Sequence, residues 1–527
     1  MGKIQTGTLF RTGTVGVAVA LGCLQLAGCG KREVELDEAP SVVARVKLES
    51  ELLYVDSNGG VVHAVNVMSK HLTATASRID IPARPTLALA RPASSEALVL
   101  CSGEQDANGE WLEKPALVAI NTKHAVRRYE LTVPLSNLQL TTDGKYAVAY
   151  GPDKNSASSE LLSNPNRVAL IDLEASPSSS NPVERTLKAP GGALSSVVLT
   201  EPLNVTGTNR PFGLFTFGDG LSVWDLSHPE RPEIASEGLG AGGTVSLRRT
   251  VADAPNGTLY LIQSGITDLR VLALNNPSTG KDNDYWPSWN QLPLDSSSAN
   301  DLMLYDEAGA PRVIVAVGSE VRIIDSNNSR VVPISVTSRI DNFYSFDGVA
   351  PGDTKSRKRL LGWSPNSNAV TFIEFADLES RGTRNMEVLQ LGNTLLGVVP
   401  LSLTKLLTKF KGGGIGTLDL ESRRFTPLSS SVELTAPLIE SDAHRVWVGA
   451  TSDDRVGYFD PSSLETGYVR LDAPIQQVFL FESGQNRKIV VSHDNPFGQM
   501  TVFDAATPSR ATATVMDGFL LDGLVNR

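Results

Sequence analysis

The chain reads as an all-β protein, a β-propeller of four-stranded antiparallel blades with about ten repeats. Three observations predict this. A short apolar run that closes in Asp, Asn or Glu and leads into a turn returns ten times, at Asn66, Asn121, Asp172, Asp225, Asn275, Asp325, Glu374, Asp419, Asp460 and Asp504. The steps between these residues run from 41 to 55 residues, a period that belongs to repeat architectures whose units pack on their neighbours. Helical signals are scarce, and the best helix candidate, 394–410, is interrupted by Pro400.

Each unit resolves into four strands. Ahead of every closing residue lies a second apolar run rich in Val, Leu, Ile and aromatics, such as 97–100, 146–150 and 488–492. Turn residues bound most of these runs, among them Asn58-Gly59-Gly60, Gly412-Gly413-Gly414 and Asp494-Asn495-Pro496. Two apolar runs joined by such a turn form a hairpin. A preceding apolar segment such as 135–140 supplies an inner strand, and an edge-like run such as 183–188 supplies an outer one. A blade of this kind cannot bury both faces alone, whereas stacking around an axis buries them and leaves only short edges. At the end of a strand, Asp or Asn accepts hydrogen bonds from N–H groups two residues on, so the closing residue is expected to fix a turn.

One copy carries a family resemblance. Leu138-Gln139-Leu140-Thr141-Thr142-Asp143-Gly144-Lys145-Tyr146, followed by Arg167-Val168-Ala169-Leu170-Ile171-Asp172, resembles the YVTN-type propeller repeat, with Thr142 where that family usually has Pro. The second half recurs as Val321-Arg322-Ile323-Ile324-Asp325 and Met500-Thr501-Val502-Phe503-Asp504. The resemblance spans most of 48–515 and shades into lactonase-like and quinoprotein-like propellers. It implies blades and no particular activity.

Ten repeats fit one ten-bladed ring, two smaller rings, or eight blades with two copies outside the pattern. Unbroken spacing favours a single ring, with 151–166 as a loop inside one blade. The last segment, 515–524, reads as an inner strand opening a new unit, and 41–48 is also strand-like. The two ends are therefore expected to share a blade and clasp the ring.

The N-terminus carries an address. Lys3 and Arg11 precede an apolar stretch, 15–26, and the order Leu26-Ala27-Gly28-Cys29 follows. This resembles the bacterial lipobox, in which the residues before the cysteine fit the signal peptidase and the cysteine is acylated. The apolar stretch is short for a bilayer span. The reading divides the chain into a signal peptide at 1–28, a lipidated tether at 29–40 and a repeat domain at 41–527. Two or three acyl chains on Cys29 would hold the protein on a membrane. Gly30 in place of Asp leans toward the outer membrane of a Gram-negative envelope.

Removing 1–28 takes away two positive charges and moves the formal net charge from −11 to −13. An acidic body argues against a nucleic-acid partner. With Cys29 lipidated, Cys101 has no partner for a disulfide, and Leu98-Val99-Leu100-Cys101 reads as a buried strand.

No residue set nominates a reaction. The six histidines, His63, His71, His124, His228, His444 and His493, show no metal-ligand spacing. Asp106-Ala107-Asn108-Gly109-Glu110 and Asp153-Lys154-Asn155 read as solvated turns. Gly362-Trp363-Ser364-Pro365-Asn366 lacks the last Gly of an esterase elbow, and Gly412-Gly413-Gly414-Ile415-Gly416 lacks the Lys of a phosphate loop. No metal and no cofactor is implied. Tyr285, Trp286 and Trp289 stand in a polar loop as a candidate binding loop, or else tuck onto a blade edge. The expected function is a non-enzymatic, membrane-anchored envelope scaffold for a protein partner. The alternatives are a propeller enzyme, a lactonase-like hydrolase or dehydrogenase, and a carbohydrate or ligand sensor.

Overall fold

The computed structural model describes residues 40–521 except 70–71, 73–75, 153–163, 189–191, 237–244, 265, 276–286, 295–298, 308–309, 326–329, 350–356, 366, 375–385, 429–437, 442–444 and 452. Among the described residues there are ten four-stranded antiparallel sheets. In chain order they are blade 1 (42–80), blade 2 (85–130), blade 3 (135–186), blade 4 (196–236), blade 5 (247–293), blade 6 (301–335), blade 7 (342–390), blade 8 (395–428), blade 9 (438–470) and blade 10 (475–517). Within each, the four strands pair in sequence order, and two small hairpins add to the repeat, Glu104–Gln105 with Trp111–Glu113 in blade 2 and Leu203–Val205 with Thr208–Arg210 in blade 4. The region 394–410 is two strands, Leu395–Pro400 and Lys405–Phe410.

The first strands of neighbouring blades approach one another at blades 1 and 2, 2 and 3, 3 and 4, 5 and 6, 6 and 7, and 9 and 10, so they line the axis. The second strands are the most completely buried, as in Glu51–Asp56 and Phe212–Thr216. The apolar core is divided accordingly. Ten hydrophobic clusters occur among the described residues, one at each interface between successive blades, and the tenth joins blade 10 to blade 1. Each blade thus buries two faces, and no central core is needed.

Ring closure corrects the expected clasp. The segment Thr514–Asp517 is the fourth, outer strand of blade 10, paired with Gln499–Asp504, and Val42–Leu48 is the first strand of blade 1. Among the described residues no strand crosses from one end to the other. Closure rests on side chains: Leu52, Tyr54, Val65 and Val67 of blade 1 pack on Phe479, Phe481, Val490 and Phe519. The Tyr54 hydroxyl donates to Ser492 Oγ at 3.1 Å, and burial pushes its phenol up to about 12. The sequence misled because an isolated outer strand alternates like any other, and only its pairing decides its place.

A polar device repeats at the opposite end of the ring from the start of the inner strands. A charged residue at the start of a second strand reaches the turn after the third strand of the next blade. Lys405 donates to the Pro461 carbonyl at 2.9 Å, Arg445 to those of Ala505 and Ala506 at 2.6 and 2.9 Å, and Glu51 pairs with His124 at 2.7 Å. Lys488 makes the same reach across the closure, to the carbonyls of Val67 and Ser69 at 2.9 and 3.0 Å. The seam is therefore built like the other interfaces.

Seven of the ten closing residues do what strand-end acids and amides do. Oδ1 of Asn66, Asn121, Asp172, Asp225, Asp419, Asp460 and Asp504 accepts from backbone N–H groups two to four residues on, for example Asn66 from Met68 at 3.1 Å and Asp460 from Ser462 at 2.6 Å. Asn275 differs: it accepts from Thr206 in the extra hairpin of blade 4.

The YVTN-like turn has a steric demand as well. Gly144 has φ +69°, and a Cβ there would collide with the Pro92 carbonyl of the adjacent turn in blade 2. Arg91 Nε also donates to the Gly144 carbonyl at 2.7 Å, so the two turns cannot move apart without loss. Gly144→Ala is expected to cost about 1–3 kcal/mol. Thermal unfolding of the purified variant checks this, and an unchanged midpoint would refute the close approach.

Candidate functional site

The inner strands begin at one end of the ring and form its mouth. Five of the ten carry a bulge within their first residues, between Val42 and Ala44, Pro85 and Leu87, Leu247 and Arg249, Leu395 and Gly397, and Ile475 and Gln477. A bulge re-aims the side chain it releases and is common at barrel rims. The released residues are Val43, Thr86, Arg248, Leu396 and Gln476. Val43 and Leu396 are large apolar side chains left 43% and 44% exposed.

Polar side chains of blades 5, 6 and 7 converge at this mouth. Arg248 donates to Asn300 Oδ1 at 3.2 Å, and Arg249 pairs with Asp301 Oδ1 at 3.3 Å. Asp301 also accepts from the N–H of Leu302 at 2.9 Å and of Phe343, in blade 7, at 2.7 Å. Burial raises the Asp301 carboxyl, opposed by these N–H groups and by Arg249. At the entry to blade 7, Asp341 accepts from Arg339 Nε at 2.8 Å and from Ser364 Oγ of that blade at 2.5 Å. Each oxygen of both carboxylates is thus taken by a donor, and the network braces three blades.

A shallow pocket of about 500 Å³ opens beside Arg339, lined by hydroxyl and amide side chains including Ser338, Ser367, Asn368 and Thr394. Farther round the axis, Glu440 of blade 9 accepts from the Leu480 N–H, and Lys47 of blade 1 donates to the Leu480 carbonyl. The open inner edge of blade 10 is satisfied there from both sides. Burial raises Glu440, and Lys47 opposes the shift.

The sequence candidates are dispersed. Leu26, Ala27, Gly28 and Cys29 lie outside the described residues, as do Tyr285, Trp286, Asp153 and Asn155. Trp289 lies on the outer strand Ser288–Pro293 of blade 5, half-buried against the blade 4–5 cluster, where its indole N–H donates to Ser236 Oγ at 2.8 Å. Cys101 is fully buried, and desolvation pushes its thiol up. Asp106 accepts from the N–H groups of Asn108 and Glu110 at 2.9 and 2.8 Å in a turn, and these bonds lower its carboxyl. Gly412 and Gly413 take positive φ in the hairpin between Lys405–Phe410 and Ile415–Asp419.

His63 and His493 are buried, and desolvation lowers both. The His493 ring is held by the Pro474 carbonyl at 2.9 Å and Thr501 Oγ1 at 2.8 Å. Among the described residues no three His, Cys, Asp or Glu side chains gather as a metal site, and no helix is long and apolar enough to cross a membrane.

No family model matches the chain, and no curated protein matches it. Solved structures resemble it at low identity. A structure described as a eukaryotic initiation factor aligns with 13% identity and a TM-score of 0.42, over 74% of this chain and 87% of its own. Dihydro-heme d1 dehydrogenase NirN aligns with 10% identity and a TM-score of 0.36, over 90% and 74%. Apo AztD from Citrobacter koseri aligns with 11% identity and a TM-score of 0.34, over 68% and 93%.

Proposed function

We propose that this chain is a lipid-anchored lipoprotein of the bacterial envelope, held at the outer membrane, whose ring is a non-enzymatic scaffold for a protein partner. The observation that carries the anchoring is the order Leu26-Ala27-Gly28-Cys29 behind a short apolar stretch and ahead of a polar tether. Scaffolding draws support from the mouth. The Asp301 carboxylate is committed to bracing blades 5, 6 and 7, while bulges turn Val43 and Leu396 outward as apolar anchors of the kind partners bury.

The experiment is expression in a Gram-negative host with an alkyne fatty acid. The wild type is expected to take up the label and sediment with membranes. Cys29→Ser is expected to lose the label, remain unprocessed and be longer by the signal segment. Equal labelling of the variant refutes the anchor. For the scaffold, a tagged wild type from detergent-solubilised envelopes should retain a partner that Val43→Asp and Leu396→Asp release. A partner retained equally by the variants, or none above control, counts against it.

A further inference from the structure

We propose that the outer wall of the ring between blades 2 and 3 carries a binding site for a neutral oligosaccharide. A cleft of about 860 Å³ opens there, within the ~300–1,000 Å³ typical of small-ligand sites. It stands between two departures from the repeat. On one side is the extra hairpin of blade 2, which holds Trp111 half-exposed and leaves Leu112 68% exposed. On the other is the long turn after the third strand of blade 3, with Pro177, Ser178 and Ser179. That turn is fixed from within: Asn181 Nδ2 donates to the Asp172 carbonyl at 2.8 Å, and its Oδ1 accepts from the Asp172 N–H at 3.1 Å. Elaborations on a regular scaffold are where binding residues accumulate.

The lining is amphipathic. Trp111, Pro177 and Pro182 give apolar surface over the buried Leu131, and hydroxyls and charged groups rim it. A sugar ring has the matching character, with C–H groups on its faces and hydroxyls at its edge. An indole is the side chain best suited to stack on such a face.

The charges argue for neutrality in the ligand. The lining holds Lys114 and Arg128 against Glu130 and Glu184. Lys114 pairs with Glu130 at 3.0 Å, Arg128 with Glu113 at 3.3 Å, and Glu184 with Arg167 at 3.2 Å. Glu184 also accepts from the Thr132 N–H at 2.6 Å. No sign of charge is left in excess to select an ion. Paired carboxylates and cations still hold unused acceptor and donor positions, which suit adjacent sugar hydroxyls.

The test uses the full-length lipoprotein in a detergent without a sugar headgroup. Its probes are maltohexaose, cellohexaose and chitohexaose by calorimetry, and an array carrying neutral glycans, acidic glycans and peptides. A neutral glycan is expected to bind and to perturb tryptophan fluorescence. Trp111→Ala is expected to weaken binding about tenfold or more. Ser179→Trp, at an exposed turn position, is expected to block the cleft while leaving thermal unfolding unchanged. The proposal is overturned if no neutral glycan binds, if only acidic glycans or peptides bind, or if both folded variants bind like the wild type.

Discussion

Phe481→Ala is expected to destabilise the protein by about 3–5 kcal/mol and to open the ring at its seam. Phe481 is fully buried on the first strand of blade 10, within the cluster that joins it to blade 1. The Lys47 ammonium lies 5.3 Å from its ring centre. A large-to-small change in such a place loses transfer energy and leaves a cavity. The consequence differs from that at the other interfaces. Blades 7 and 8 remain tethered by the chain when their contact weakens, but among the described residues blades 10 and 1 share no strand and no connecting segment. In a ring of nearest-neighbour units, an interior blade must break two interfaces to unfold. Once the seam opens, blades 1 and 10 become ends and each must break one.

Denaturant unfolding should therefore show lower stability and a shallower transition. Hydrogen exchange should rise first in Val42–Leu48 and Thr514–Asp517. Phe372→Ala, at the blade 7–8 interface, serves as the control, with similar loss of stability and no selective exposure of those strands. If Phe481→Ala costs under about 1 kcal/mol, or if both variants exchange alike, closure by packing is wrong.

Local hydrogen bonding explains what the sequence disclosed. Asn66, Asn121 and Asp460 bond to N–H groups a few residues away, so their signature survives in one dimension, and the period and strand order follow. Closure was misread because Thr514–Asp517 carries no mark that separates an outer strand from an inner one. The mouth was illegible for the same reason at longer range. Arg249 and Asp301 meet across a blade interface, and Phe343 reaches Asp301 from the next blade. Nothing in their spacing announces it. The wall cleft was hidden differently. The segment around Asp106 reads as a turn, and it is one, but the same hairpin carries Trp111 to the cleft's edge.

Asp225→Ala should be the most damaging change among the closing residues, at about 3–5 kcal/mol. In the wild type, Asp225 Oδ1 accepts from the Ser227 N–H at 2.9 Å, as its counterparts do in their turns. Its surroundings set it apart. Its side chain is fully buried, and Oδ2 lies 3.3 Å from Nη1 of Arg210, which is 3% exposed. Oδ2 also faces His228 Nδ1 at 3.1 Å. Removing the carboxylate takes the Asp225 charge away from a buried guanidinium, and that penalty exceeds the loss of one turn bond. Asp504 is exposed; it accepts the turn bonds from Ala506 and Thr507 at 2.6 and 3.3 Å and faces the Lys488 charge across the strand pair. Asp504→Ala is therefore expected to cost about 1 kcal/mol or less. The double variant Arg210→Met/Asp225→Leu should recover most of the loss, because apolar side chains replace a buried pair at little net cost. Denaturant unfolding of the four proteins decides the matter. Equal losses for Asp225→Ala and Asp504→Ala would show that the turn alone, and not the buried charge, is what this position contributes.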